Sequence, residues 1–126
     1  MNDETTANDR ILIRDLTFDA ILGILPQERV TPQPVIINLA LHTDISAAAK
    51  STNIDDTLNY AAVAEAVQAM TVAGEYLLIE TLVEDLATLC LGAGAGAVTV
   101  RVEKPNAVAA ADAVGVEIYR ENRAEP

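Results

Sequence analysis

Apolar residues along this chain recur with two different spacings, and the change from one to the other marks out its elements. Between Arg10 and Ala20 the residues Ile11, Leu12, Ile13, Leu16 and Phe18 make an extended apolar stretch, followed by the loop-like run Ile21 to Pro26. Val35 to Ile45 alternates: Ile37, Leu39, Leu41 and Ile45 fall on one face and Asn38, His42 and Asp44 on the other, which turns His42 to solvent. Pro32-Gln33-Pro34 between them reads as a connection. A short Ala-rich helix is expected over Ser46–Lys50, and the polar run Ser51 to Thr57 then supplies a loop with capping residues. The spacing now changes. Val63, Val67 and Met70 stand at i, i+4 and i+7, predicting a helix from near Tyr60 to near Val72. Ile79, Leu82, Val83, Leu86, Leu89 and Cys90 form a longer apolar stripe on a second helix ending at Gly92. Gly92, Gly94 and Gly96 follow a helix and precede a strand, so they read as a helix stop and connection, not a phosphate loop. Alternation returns in Val98, Val100 and Val102, halted by Pro105, and again from Val114 to Arg120.

The order β-β-α-α-β-β predicts an α+β fold: a four-stranded antiparallel sheet with two long helices on one face. Such a sheet keeps two open edges, which invite strand pairing between subunits. With 126 residues, one domain is expected, over residues 10–120, between tails at 1–9 and 121–126. Hydrophobic residues are 51% of the chain and aromatics 3%, so the core must be built from Ala, Val, Leu and Ile. No apolar run reaches the roughly 18 residues of a membrane helix. Met1 to Asp9 is polar and acidic, without the basic and apolar regions of a signal peptide, which predicts a cytoplasmic protein.

Eight basic against 19 acidic residues leave a formal charge of −11, which repels nucleic acid and anionic membranes alike. Cys90 is the only cysteine and His42 the only histidine, so neither an intrachain disulfide nor a Cys/His zinc site is expected. Cys90, within an apolar stripe, reads as a small buried hydrophobe.

Four segments carry more specific information: Gly23-Ile24-Leu25-Pro26-Gln27-Glu28, Leu58-Asn59-Tyr60-Ala61, Leu78-Ile79-Glu80 and Glu103-Lys104-Pro105-Asn106-Ala107. In order and spacing they resemble the dihydroneopterin aldolase family, over roughly Arg10 to Arg120. The resemblance implies the tunnelling fold, assembled into a ring or barrel, with two tetrameric rings stacked as a homo-octamer. It implies a pterin substrate, no cofactor and no metal. By residue, it implies Glu80 as the pterin anchor with Ile79 and Tyr60 beside the substrate. Tyr60 and Lys104 become the proton-handling pair, and Glu28 their acidic partner. It also implies a site shared between chains, with Glu28, Glu80 and Lys104 from one subunit and Tyr60 from its neighbour.

The chemistry suits these residue types. A pterin ring presents an amino group and a ring N–H side by side, and one carboxylate accepts both. A helix start helps keep that carboxylate ionised, although the same dipole favours a merely solvated glutamate there. In a dihydropterin the C6=N5 imine stands next to the side-chain carbon that becomes electron-rich on cleavage, so Lys104 need not form a Schiff base. The protein is left with two proton transfers. A nearby Glu28 favours the ammonium form of a lysine, which points to Lys104 orienting water or relaying a proton. On residue physics alone, Tyr60 reads as an amphipathic ring at a helix junction, and Glu28 and Lys104 as exposed charges. Many family members resemble a His-Gly pair where this chain has Leu22-Gly23. Two other functions share the pattern. One is a dihydroneopterin triphosphate epimerase, which needs a basic pocket where the matched segments and their immediate neighbours offer only Arg29 and Lys104. The other is a non-catalytic, ring-forming pterin binder, for which Tyr60 and Lys104 would not be required.

Overall fold

The computed structural model describes residues 8–122. In chain order it runs β1 (Arg10–Ala20), α1 (Pro26–Val30), β2 (Gln33–His42), α2 (Ser46–Ser51), a 3-10 turn (Ile54–Asp56), α3 (Tyr60–Gly74), α4 (Ile79–Gly92), β3 (Ala97–Lys104) and β4 (Val114–Glu121). The strands form one antiparallel sheet in the order β1-β2-β3-β4, and α3 and α4 pack together on one of its faces. Among the described residues, no helix is long and apolar enough to cross a membrane. Of the expected tails, residues 1–7 and 123–126 lie outside the described residues, while Glu121 belongs to β4.

The core follows the apolar periodicities. α4 buries Leu82, Val83, Leu86, Ala87 and Cys90, and α3 buries Val63, Val67 and Thr71. The Thr71 hydroxyl donates to the Val67 carbonyl at 2.8 Å, which satisfies the polar group of that helix face. Against them lie Val35, Ile37, Leu39 and Leu41 of β2 and Val98, Val100 and Val102 of β3. Phe18 and Tyr76 reach only the margin of this aliphatic layer. Cys90 is fully buried, and that burial pushes its thiol pKa up to about 11.

The structure departs from the sequence pattern at three places. In β1, Ile11 and Ile13 sit at odd positions, yet Leu16, Phe18 and Ala20 also turn toward the core. A bulge between Ile13 and Leu16 changes the parity, with Asp15 at φ +55°. Its backbone N–H donates to Asn38 Oδ1 at 2.8 Å, and Asn38 Nδ2 donates to Asp15 Oδ1 at 3.3 Å. Leu12, on the opposite face, is therefore 54% exposed. Second, β2 begins two residues before Val35 and stops at His42. Pro34 pairs with Asp19 and Gln33 with Ala20, and Ile45, expected on the core face, instead caps α2 and is exposed. His42 is half-buried, its ring edge-on to Tyr119 at 5.8 Å between centroids. Third, Pro26 opens a one-turn helix where a loop was expected, since a proline at the first helical position lacks only an N–H that would have no partner there.

Among the described residues, β1 and β4 each pair on one side only. Leu86 of α4 is fully buried in the core cluster between helices and sheet. Leu86→Ala is expected to cost about 2–5 kcal/mol of stability, the usual range for emptying a packed leucine site, read by urea denaturation at fixed protein concentration.

Candidate active site

The chain leaves β1 and turns at Gly23, whose φ of +136° suits glycine. A Cβ built there would lie 2.0 Å from Glu28 Oε1, so the bare Cα lets the Glu28 carboxylate rest against the backbone. Glu28 is the third residue of α1, and its Oε1 accepts from the Leu25 N–H at 3.1 Å, closing the start of that short helix. Its Oε2 accepts from Lys104 Nζ at 3.0 Å and from Gln33 Nε2 at 3.2 Å. Lys104 ends β3, and the two side chains of the ion pair are only 12% and 15% exposed. Burial pulls the Glu28 carboxyl upward, but hydrogen bonds from Lys104, the Leu25 amide and Gln33, with the Lys104 charge, outweigh it and hold the pKa below its ordinary 4.5.

Beside this pair lies a cleft of about 380 Å³. One wall is Gly23, Ile24 and Leu25 with Glu28, and another is Leu77, Leu78 and Ile79 with Glu80. Lys104, Ala107 and Val114 complete it. Glu80 is exposed in the first turn of α4, where the helix dipole favours a carboxylate, while Ile79 is half-buried against the core. Ile24, Leu25, Leu77 and Leu78 remain 48–63% exposed, an apolar rim suited to a flat ring.

Tyr60 is elsewhere. It opens α3, with Asn59 Oδ1 accepting from the Ala62 N–H at 3.2 Å, and is 58% exposed. Asn59 and Ala62 share a hollow with Leu89 and Ala93, at the opposite end of α4 from Glu80. Since α4 has 14 residues, a rise of ~1.5 Å per residue separates its two ends by roughly 20 Å. One chain therefore brings together Glu28, Lys104, Glu80 and Ile79, and leaves Tyr60 outside their cleft.

The roles of three residues escaped the sequence reading. Gln33 Nε2 donates both to the Leu22 carbonyl, at 2.8 Å, and to Glu28, so part of the presumed Pro-Gln-Pro connection orients the acid. Gly23 makes room for that acid. Arg29 donates from Nη1 to the carbonyls of Gly23 at 3.0 Å and Tyr76 at 3.2 Å, and from Nη2 to that of Glu75 at 2.9 Å. A polar residue between two prolines, and a glycine five residues before an acid, were the available signals; neither names a partner. Leu22 is fully buried, which keeps its side chain out of the cleft lining.

A family model described as dihydroneopterin aldolase (FolB) matches residues 11–119. The chain belongs to the dihydroneopterin aldolase family. The dihydroneopterin aldolase of Escherichia coli (strain K12) is 32% identical over 115 residues, covering 90% of this chain and 94% of that protein. The folic acid synthesis protein FOL1 of Dictyostelium discoideum is 34% identical over 113 residues, and there the chain spans 89% of its own length but 17% of the relative's. Among solved structures, E. coli dihydroneopterin aldolase in complex with neopterin superposes with a TM-score of 0.85 at 32% identity, covering 89% of this chain and 98% of that one. The dihydroneopterin aldolase of Burkholderia thailendensis bound to guanine gives 0.78 at 27% identity, covering 91% and 92%.

The Glu28 geometry sets a pH dependence. Because its folded-state pKa lies below 4.5, ionised Glu28 contributes stability that is complete above that value and lost as pH falls through the folded pKa. The stability difference between wild type and Glu28→Gln, measured by urea denaturation across pH, is expected to be largest near neutrality and to close below 4.5.

Proposed function

We propose that this chain is a dihydroneopterin aldolase, acting in the cytoplasm on 7,8-dihydroneopterin to give 6-hydroxymethyl-7,8-dihydropterin and glycolaldehyde for folate synthesis. The supporting observation is the pairing of Lys104 with Glu28 in a cleft that Glu80 also lines. The ring of the substrate lies between the apolar walls, its amino group and ring N–H donating to the Glu80 carboxylate, with Ile79 beneath it. The side chain then extends toward Lys104.

Cleavage removes the proton of the 2′-hydroxyl, and C2′ leaves as the aldehyde carbon of glycolaldehyde. The electrons of the C1′–C2′ bond move to C1′ and are taken up by the adjoining C6=N5 imine. A proton delivered to C1′ completes 6-hydroxymethyl-7,8-dihydropterin. The substrate supplies its own electron sink, so neither a Schiff base nor a metal is required. Lys104, held by Glu28, orients water and relays one proton, and Tyr60 handles the other. Reversal of the cleavage with the aldehyde rebound on its other face epimerises the side chain.

Tyr60 reaches the cleft from a neighbouring subunit. This reading draws on the roughly 20 Å between the ends of α4 and on the unpaired outer edges of β1 and β4, which suit a head-to-tail ring of four stacked in pairs as an octamer. The triphosphate epimerase is disfavoured by charge placement. Arg29 is engaged with three backbone carbonyls and Lys104 with Glu28, which leaves no uncommitted cation in the cleft lining for a polyphosphate.

The direct test is incubation with 7,8-dihydroneopterin and detection of glycolaldehyde, in parallel with the triphosphorylated substrate. Glu80→Gln should weaken pterin binding by about 1.5–3 kcal/mol, roughly 10- to 150-fold, since an amide meets one of the two ring donors with its own NH₂. Unchanged affinity would remove Glu80 from the site. Mixing Tyr60→Phe with Glu80→Ala under conditions of subunit exchange should restore activity to roughly a quarter of wild type, the fraction of interfaces holding both native groups. Hybrid rings verified by mass spectrometry but no more active than the separate variants would refute a shared site.

A further inference from the structure

The two walls of the cleft come from segments about 50 residues apart in sequence, and an arginine outside the cleft lining joins them. Arg29 lies one residue after Glu28 on α1, with its guanidinium turned toward the chain between α3 and α4. The fork spans three carbonyl oxygens: Gly23 on the Glu28 wall, and Glu75 and Tyr76 immediately before Leu77 and Leu78 on the Glu80 wall. The same junction carries a backbone bond from the Gly23 N–H to the Tyr76 carbonyl at 3.0 Å. The far side is anchored as well. The Tyr76 hydroxyl donates to Asp85 on α4 at 2.6 Å, and the Tyr76 ring occupies the space that a side chain at Gly74 would need. Glu75 holds the turn at φ +43°.

We propose that Arg29 is a positioning residue that fixes the wall carrying Glu80 relative to the wall carrying Glu28 and Lys104. The proposal rests on the aldolase reading of this cleft. A pterin held by Glu80 presents its side chain to Lys104 only if the two walls keep their separation, and a misplacement of about 1 Å can cost on the order of 100-fold in rate. Arginine suits this role because its planar fork supplies five donors in fixed directions; lysine offers one compact ammonium that does not span three carbonyls on two segments. The charge is not otherwise consumed, since no carboxylate pairs with Arg29 among the salt bridges of the described residues. The 5-residue helix α1 thus presents Glu28 to the chemistry and Arg29 to the scaffold.

The test compares wild type with Arg29→Lys and Arg29→Ala, using guanine as a ring-only probe and 7,8-dihydroneopterin as substrate. If Arg29 fixes the spacing of the walls, guanine affinity stays within about threefold, because the anchor itself is intact, while kcat falls at least tenfold in both variants. Exchange of the Gly23 amide hydrogen, which reports the junction directly, should accelerate at least tenfold, with the exchange of core amides in β2 and β3 unchanged. Unchanged kcat in a folded Arg29→Lys enzyme overturns the proposal. So does a parallel loss of guanine affinity and kcat, which would make Arg29 a support of the ring slot alone. If the wild type binds guanine but releases no glycolaldehyde, the aldolase reading fails on its own, and the Gly23 amide still decides whether Arg29 couples the walls.

Discussion

A glutamate on a one-turn helix and a lysine 76 residues away at the end of a strand meet at 3.0 Å, and much of the molecule is arranged around that contact. Two charged groups with little solvent access are costly unless each is well partnered. Here the carboxylate has three donors and rests on a residue without a side chain. Gly23, Leu25 and Gln33 are therefore coupled to Lys104 through one carboxyl group, although none of the three is itself ionisable. The same contact commits the lysine to an acid, so its charge is already partnered within the chain.

The scaffold makes this contact possible by placing the loop after β1 and the end of β3 at the same end of the sheet. β2 lies between β1 and β3, so the end of β1 and the last residue of β3 come within reach of one another across the start of β2, where Gln33 sits. The bulge at Asp15 is part of this arrangement. Without the extra residue, the two halves of β1 would present their apolar side chains to opposite faces. With it, both Ile13 and Phe18 face the helices, and Ala20 leads into the Gly23 turn still in register with Gln33.

An aliphatic core and an acidic surface are consistent with a scaffold whose specificity is confined to a few side chains. α4 has a double role. Its buried stripe carries the helix–sheet contact, and its exposed first turn presents Glu80 beside the apolar rim. α3 runs the other way beside it, which carries Tyr60 to the far end of the helix pair. Antiparallel helices joined by a short turn cannot place their two N-termini together, so one chain does not bring Tyr60 to the cleft beside Glu80.

Sequence alone determined the alternation of strand and helix, the stripe on α4, the aliphatic composition of the core and, through four short segments, the residues expected to act. The elements and the core are properties of local spacing, where a period of two or of 3.6 residues is written directly into the order of apolar positions; the residues expected to act were implied by the family resemblance of those segments. Tertiary structure decided the rest. The bulge was hidden because a run of apolar residues looks extended whether or not its parity changes midway. Ile45 was assigned to a strand because alternation cannot say where pairing ends. Gln33 and Arg29 went unread because their partners are mostly backbone carbonyls, which every residue has and no sequence distinguishes. The distance between Tyr60 and Glu80 followed the same rule: each is the start of a helix in sequence, and only the antiparallel packing of those helices sets them at opposite ends.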